Sequence, residues 1–165
     1  MSGFTLIEVL VSLVILSIGL LGTAKLMLFS SRSNDSAYLR SQATQLSYEM
    51  LDYMRANKQG AVAGSYATAL GTAATSPGFT CVGTAAQCTP ANLALYDIYQ
   101  WKLRLNATSG VAPPGALPAG QGSVATALVG TQTTVTITVQ WDDTVAQSSF
   151  GAAATNQSIV LESVL

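Results

Sequence analysis

The distribution of apolar positions along the chain changes character three times. From Phe4 to Ala24 nearly every residue is apolar, and from Val9 to Ala24 there is no charge. The run approaches the roughly 20 residues that a helix needs to cross a hydrocarbon core. One carboxylate, Glu8, sits close to its start. An ionisable group in lipid costs about 2.5–3.5 kcal/mol on insertion scales, so it marks a functional position by default. Lys25 and the polar stretch Ser30-Ser31-Arg32-Ser33-Asn34-Asp35 end the greasy run. Leu39, Ala43, Leu46, Met50 and Tyr53 then recur every three or four residues, with Arg40, Gln45, Glu49 and Asp52 largely off that stripe. The spacing predicts an amphipathic helix. No proline interrupts Phe4 to Asn57, so both halves read as one rod about 80 Å long, with Gly60 as its stop. Gly19 and Gly22 fall inside the apolar span, either to permit close helix approach or as tolerated small residues.

Beyond the rod, residues 61–86 are rich in Ala, Gly, Thr and Ser and read as a long loop with room for a short helical turn. Thr89-Pro90 supplies an N-cap and a proline at the first helical position. A second helix is predicted from Ala91 to Asn106, with Leu95, Ile98, Lys102 and Leu105 on one face and Trp101 beside it. An alternating strand over Asp97, Tyr99, Trp101, Leu103 and Leu105 is the less favoured reading. Pro113-Pro114-Gly115 and Leu117-Pro118-Ala119-Gly120-Gln121-Gly122 mark turns. Three strands are then predicted: Ser123 to Val129, Thr133 to Trp141 and Ser158 to Leu165. The middle one alternates Val135, Ile137, Val139 and Trp141 against Thr134, Thr136, Thr138 and Gln140, the pattern of a half-buried strand. Asp142-Asp143-Thr144 turns the chain, its acids solvated rather than half of a calcium site. Consecutive strands with turn signals favour an antiparallel sheet. The predicted fold is α+β: a long N-terminal helix, half transmembrane and half amphipathic, laid on a small antiparallel sheet. Both tryptophans are assigned to its core. Glu49, Asp52 and Arg55 read as a solvated helix face.

Composition narrows the chemistry. A hydrophobic content of 49% with 9% charged residues suits a membrane segment followed by one small, weakly charged domain. A net charge of -1 leaves no footprint for nucleic acid, and none is expected as a partner. Histidine is absent, which removes the commonest general base and metal ligand. No nucleophile with a credible base and no Gly-rich phosphate loop is visible. The chain is therefore not expected to be an enzyme, nor to need a cofactor or metal.

Gly3-Phe4-Thr5-Leu6-Ile7-Glu8-Val9-Leu10 resembles the processing and assembly motif of type IV prepilins and their secretion-system relatives. The resemblance implies that a prepilin peptidase cuts between Gly3 and Phe4 and that the new N-terminal Phe4 is methylated. It makes Glu8 the assembly glutamate, with Thr5 able to add a hydroxyl hydrogen bond beside it. The implied division is a leader at residues 1–3, a transmembrane and assembly helix at 4–29, and a periplasmic pilin domain at 30–165. Met1-Ser2-Gly3 carries no Lys or Arg, a departure from the usual leader. Either a longer start precedes it or the chain's own amine serves alone. No basic stretch precedes the span and no A-x-A site follows it, so the segment is expected to be retained.

Asp97 with Trp101, then Leu117-Pro118-Ala119-Gly120-Gln121-Gly122, then Val135 to Trp141, are similar to the minor pilin PilV group. Gly19-Leu20-Leu21-Gly22 also fits that group. The similarity implies a minor pilin that primes, caps or modifies a type IV pilus and so affects adhesion and twitching motility. Its implied partners are other minor and major pilins through the N-terminal helix, the prepilin peptidase, the inner-membrane assembly platform and membrane lipid. Its implied location is the inner membrane, as a single pass with a cytoplasmic N-terminus, and then the pilus. A minor pseudopilin of a type II secretion system shares the start motif and remains the alternative, as does an adhesive or DNA-uptake module at a fibre tip. Cys81 and Cys88 flank a short loop and, in an exported protein, read as a disulfide. A metal or redox pair is disfavoured, because the spacing is not C-x-x-C and no histidine supports zinc.

Overall fold

In the computed structural model, residues 5–83, 88–106, 116–144 and 156–165 are described. Helix α1 runs unbroken from Leu6–Ala56, 51 residues or about 77 Å. A short α2 (Lys58–Val62) follows, then a loop to α3 (Pro90–Leu105). Strands β1 (Gln121–Val129), β2 (Gln132–Asp142) and β3 (Asn156–Val164) form one antiparallel sheet in the order β1-β2-β3. The α+β arrangement expected from the sequence is the one observed.

Only the C-terminal half of α1 is covered by the rest of the chain. Its buried residues are Ala43, Leu46, Ser47, Met50, Leu51 and Met54, a single stripe at steps of three and one. That stripe lies on α3 and on the inner face of β2, where Val135, Ile137, Val139 and Trp141 are buried. The outer face keeps Thr134, Thr136, Thr138 and Gln140 half-exposed, so the period-two pattern maps directly onto the sheet. Pairs such as Val124↔Ile137 and Ile137↔Leu161 carry the inner face across all three strands. The buried Ser47 hydroxyl bonds back to the Ala43 carbonyl at 2.9 Å, so it costs the core no unpaired group.

Two tryptophans anchor this core. Trp101 is fully buried, and its indole N–H donates to the Leu46 carbonyl at 2.8 Å. This ties α3 to the middle of the covered half of α1. Against the same ring lies Gly122, where a Cβ would come within 2.3 Å of the indole. At Gly120 a Cβ would meet the Leu105 carbonyl oxygen at 2.1 Å. The Gly-x-Gly turn therefore lets the start of β1 press onto the end of α3.

Four local expectations are corrected. Gly60 does not stop the long helix; Asn57 does, and Gly60 is buried inside α2. Asn57 leaves helical geometry because its side chain has better partners. Its Oδ1 accepts from the Gly60 amide at 3.3 Å, and its Nδ2 donates to the Pro90 carbonyl at 2.7 Å. The buried face of α3 is rotated from the one predicted, to Ala94, Trp101, Lys102 and Leu105, leaving Leu95 exposed. The Trp101–Leu46 hydrogen bond fixes that rotation. Glu49 is not simply solvated: its carboxylate pairs with Arg104 on α3 and accepts from the Tyr53 hydroxyl. Asp143 is buried rather than solvated, its Oδ2 accepting from Ser36 Oγ at 2.7 Å. Asp142 does turn the chain, accepting from the Thr144 amide at 2.8 Å.

Because Gly122 touches the Trp101 ring directly, Gly122→Ala should overpack the core and cost about 2 kcal/mol. Urea unfolding should show the midpoint fall with an unchanged slope. An unchanged midpoint would mean that the contact is not tight.

Candidate functional site

The first turn of α1 carries the residues singled out by the N-terminal motif. Thr5 is the N-cap, in extended conformation, and its carbonyl accepts from the Glu8 amide at 3.1 Å. The Thr5 side chain makes no capping bond. Glu8 is therefore the third helical residue, where a carboxylate is favoured by the exposed amides and the positive end of the helix dipole. Gly3 and Phe4 lie outside the described residues.

Every residue from Leu6 to Phe29 is exposed on the isolated chain. Among the described residues this is the one helix long and apolar enough to cross a membrane. Its hydroxyls are satisfied internally. Ser12 Oγ donates to the Glu8 carbonyl at 2.8 Å, Ser17 to the Leu13 carbonyl, and Thr23 Oγ1 to the Leu20 carbonyl at 2.9 Å. Backbone and hydroxyl groups thus need no water, which a lipid or packed-helix environment requires. From Thr5 to Ala24 only Glu8 ionises. About a dozen Leu, Ile and Val side chains each favour insertion by about 0.3–0.6 kcal/mol. Together they outweigh the roughly 3 kcal/mol that one carboxylate costs. The helix can therefore carry Glu8 into an apolar setting and hold it there wanting a cation.

The other predicted pair, Cys81 and Cys88, is joined as a disulfide in the loop that precedes α3. It stabilises by about 2.5 kcal/mol in the chain-entropy treatment. The fold does not bring it near Glu8: one lies on the head, the other at the far end of the bare rod. Among the described residues no cluster of three His, Cys, Asp or Glu side chains could hold a metal.

The α1–α2–α3 junction holds a buried polar network that no periodic pattern in the sequence marks. Tyr66 is fully buried in the loop after α2, and its hydroxyl donates to Asp97 Oδ2 at 2.5 Å. Asn57 Nδ2 donates to the same hydroxyl at 3.2 Å. Burial pushes the Tyr66 phenol well above its usual range, with the Asp97 hydrogen bond adding to the effect. Burial also raises the Asp97 carboxyl, while the Tyr66 hydrogen bond opposes the rise. Tyr53 is pushed up to about 12, first by burial and then by Glu49. These groups hold three elements together. The sequence signal for them was weak, since a single Tyr in an Ala/Gly/Thr-rich stretch has no periodicity to mark it.

The Asp97 shift has a definite sign. A carboxyl raised in the folded state loses stability as pH rises from the unfolded value, near 3.8, through the folded one. Asp97→Asn keeps an acceptor for Tyr66 and removes the charge. Its stability relative to the parent should be level near pH 3 and should improve as pH rises to 7. Urea unfolding at both pH values checks this, and a constant difference would contradict it.

Comparison with known families adds to this geometry. No curated protein and no solved structure matches the chain. Residues 1–24 match the prokaryotic N-terminal methylation motif. The type IV pilin family, as the family model described as type IV pilin Tt1218, is found over residues 27–99, which take in the rest of α1, α2, the disulfide loop and most of α3.

Proposed function

We propose that the protein is a minor pilin, a non-enzymatic subunit that joins a type IV pilus through the bare half of α1. The observation that carries this reading is the helix itself, covered from Ala43 onward, exposed and apolar before Phe29, and with Glu8 as its single charge from Leu6 to Ala24. Residues 1–3 act as a leader removed by a prepilin peptidase at Gly3, leaving Phe4 as the mature, methylated N-terminus. Residues 4–29 hold the subunit in the inner membrane as a single pass with a cytoplasmic N-terminus, and residues 30–165 form a periplasmic head. On assembly the rod exchanges lipid for the rods of other minor and major pilins, and the head moves to the cell surface.

Glu8 supplies register in this exchange. A carboxylate in an apolar bundle needs a cation, and the new Phe4 amine of a neighbour is the group that cleavage creates. Placed at the third helical residue, Glu8 is presented one turn in from the amine that its own chain bears. Axial displacement between neighbours brings one chain's amine to the next chain's carboxylate. The minor-pilin assignment, with a part in initiating the fibre or tuning its adhesion and twitching, draws on the PilV-like residues of the head.

Glu8→Ala should leave a processed, membrane-held subunit whose amount in sheared fibres falls about tenfold or more, as expected when a buried ion pair loses one partner. Immunoblots of membrane and sheared fractions read this directly, and normal incorporation would sink the proposal. Gly3→Val should block close approach by the peptidase. Mass spectrometry of the membrane form should then find Met1 to Gly3 still attached; a trimmed chain would show that the cut does not depend on Gly3.

A further inference from the structure

Lys102 is 6% exposed, so almost all of this lysine is inside the protein. Its ammonium has three N–H groups. One donates to the Thr72 carbonyl at 2.8 Å and one to the Ala69 carbonyl at 3.3 Å. The third has no partner among the described residues, and neither acceptor carries a charge. Burial alone lowers the lysine's proton affinity, with no carboxylate acting to raise it. Burying a cation is costly, and neutral carbonyls only partly offset that cost.

The space beside it is large enough for a small anion. Lys102 lines a cavity of about 450 Å³ between the loop at 71–76, the end of α3 and the start of β1. That is within the usual range for small-molecule sites. Its polar wall is made by Thr72, Ser76, Tyr99, Asn106 and Gln121, and none of the lining residues is acidic. Gly120 and Gly122 line the same cavity. A second cavity, of about 230 Å³, reaches Lys102 from the other side of the loop. Tethering the loop requires two donors; it does not require a full ammonium at the wall of an open cavity.

We propose that this cavity binds a small hydroxylated carboxylate of the sugar-acid class, its carboxylate on the Lys102 ammonium and its hydroxyls on the surrounding hydroxyl and amide groups. The mixed wall favours a sugar acid over a purely apolar anion, since its hydroxyl and amide groups can exchange hydrogen bonds with a sugar's hydroxyls. The site is on the head, away from Glu8, and does not depend on how the rod assembles.

The test uses the full-length protein in detergent micelles, with amide NMR shifts of Lys102, Gly120, Gln121 and Gly122 as the readout. D-galacturonate should produce saturable shifts at these amides, and D-galactose at the same concentration should not. Gln121→Glu puts a like charge into the cavity without touching the lysine's tether. It should weaken galacturonate binding about tenfold while leaving the melting temperature unchanged. Lys102→Met should abolish binding, with its melting temperature read in parallel. No saturable shift with galacturonate, equal binding of galactose, or unaltered affinity in Gln121→Glu would overturn the proposal. Tighter binding of acetate or of a short peptide's free carboxylate would overturn the sugar-acid assignment.

Discussion

The structure depends on one unequal division: a single helix is asked to live in two solvents. The half of α1 that follows Leu39 is buried against its own chain, while the half before Phe29 is not buried by anything within the chain. Exposed Leu, Ile and Val side chains in such number cannot remain in water without association, since each large one gains about 1.5–3 kcal/mol on leaving it. The backbone of that half is internally bonded and its hydroxyls are bonded back to carbonyls. Lipid and other helices are therefore both acceptable surroundings, and water is not. From Leu6 to Ala24 Glu8 is the one charged residue, and in the proposed assembly a neighbouring chain brings it a fixed cation that lipid does not.

The proposed exchange of surroundings requires that the rod not pull its head apart. Two ties limit that. Midway along the covered half, the Trp101 indole holds the Leu46 carbonyl, and Glu49 pairs with Arg104 nearby. At its end, Asn57 breaks the helix and hands its hydrogen-bonding groups to Gly60, Pro90 and Tyr66. The rod is thus stopped by side-chain competition rather than by a flexible residue. The chain turns into α2 with the Asn57 side chain still paired.

Much of this was legible in the sequence because periodicity reports burial. The unbroken run without proline gave the long helix, the three-and-four spacing gave its covered stripe, and the Val135 to Trp141 alternation gave the central strand. Periodicity does not report which polar groups leave the solvent. Asn57, Tyr66, Asp97 and Asp143 are held by partners distant in sequence, and no local pattern encodes those meetings. The rotation of α3 departs from its apolar count for the same reason: that count favours Leu95, while a hydrogen bond from Trp101 to another helix sets the outcome. Lys102 was placed on the predicted apolar face, which was a genuine signal, but its cavity depends on a loop whose course the sequence does not spell out. At the N-terminus the motif named Gly3, Phe4, Thr5 and Glu8 together, and the fold fixes the helical position of the last two.

With only 9% charged residues, the chain has few ions to spend on solubility, and several of them are withdrawn from water. Asp143 illustrates what that achieves. It lies just past the end of β2, buried, with Oδ2 on Ser36 and Oδ1 without a partner among the described residues. Ser36 sits on α1 between the bare and the covered halves. The carboxylate therefore grips the helix at the rim where its surroundings change, before the apolar stripe begins at Leu39. A load on the bare half reaches this tie and the sheet behind it before it can peel the stripe from β2. An apolar contact at that rim would be free to slide, whereas a directional bond to a buried carboxylate fixes the helix in rotation as well as in place. The rotation matters, because it sets which way Glu8 faces relative to the head, and in the proposed fibre that decides whether Glu8 meets a neighbour's amine.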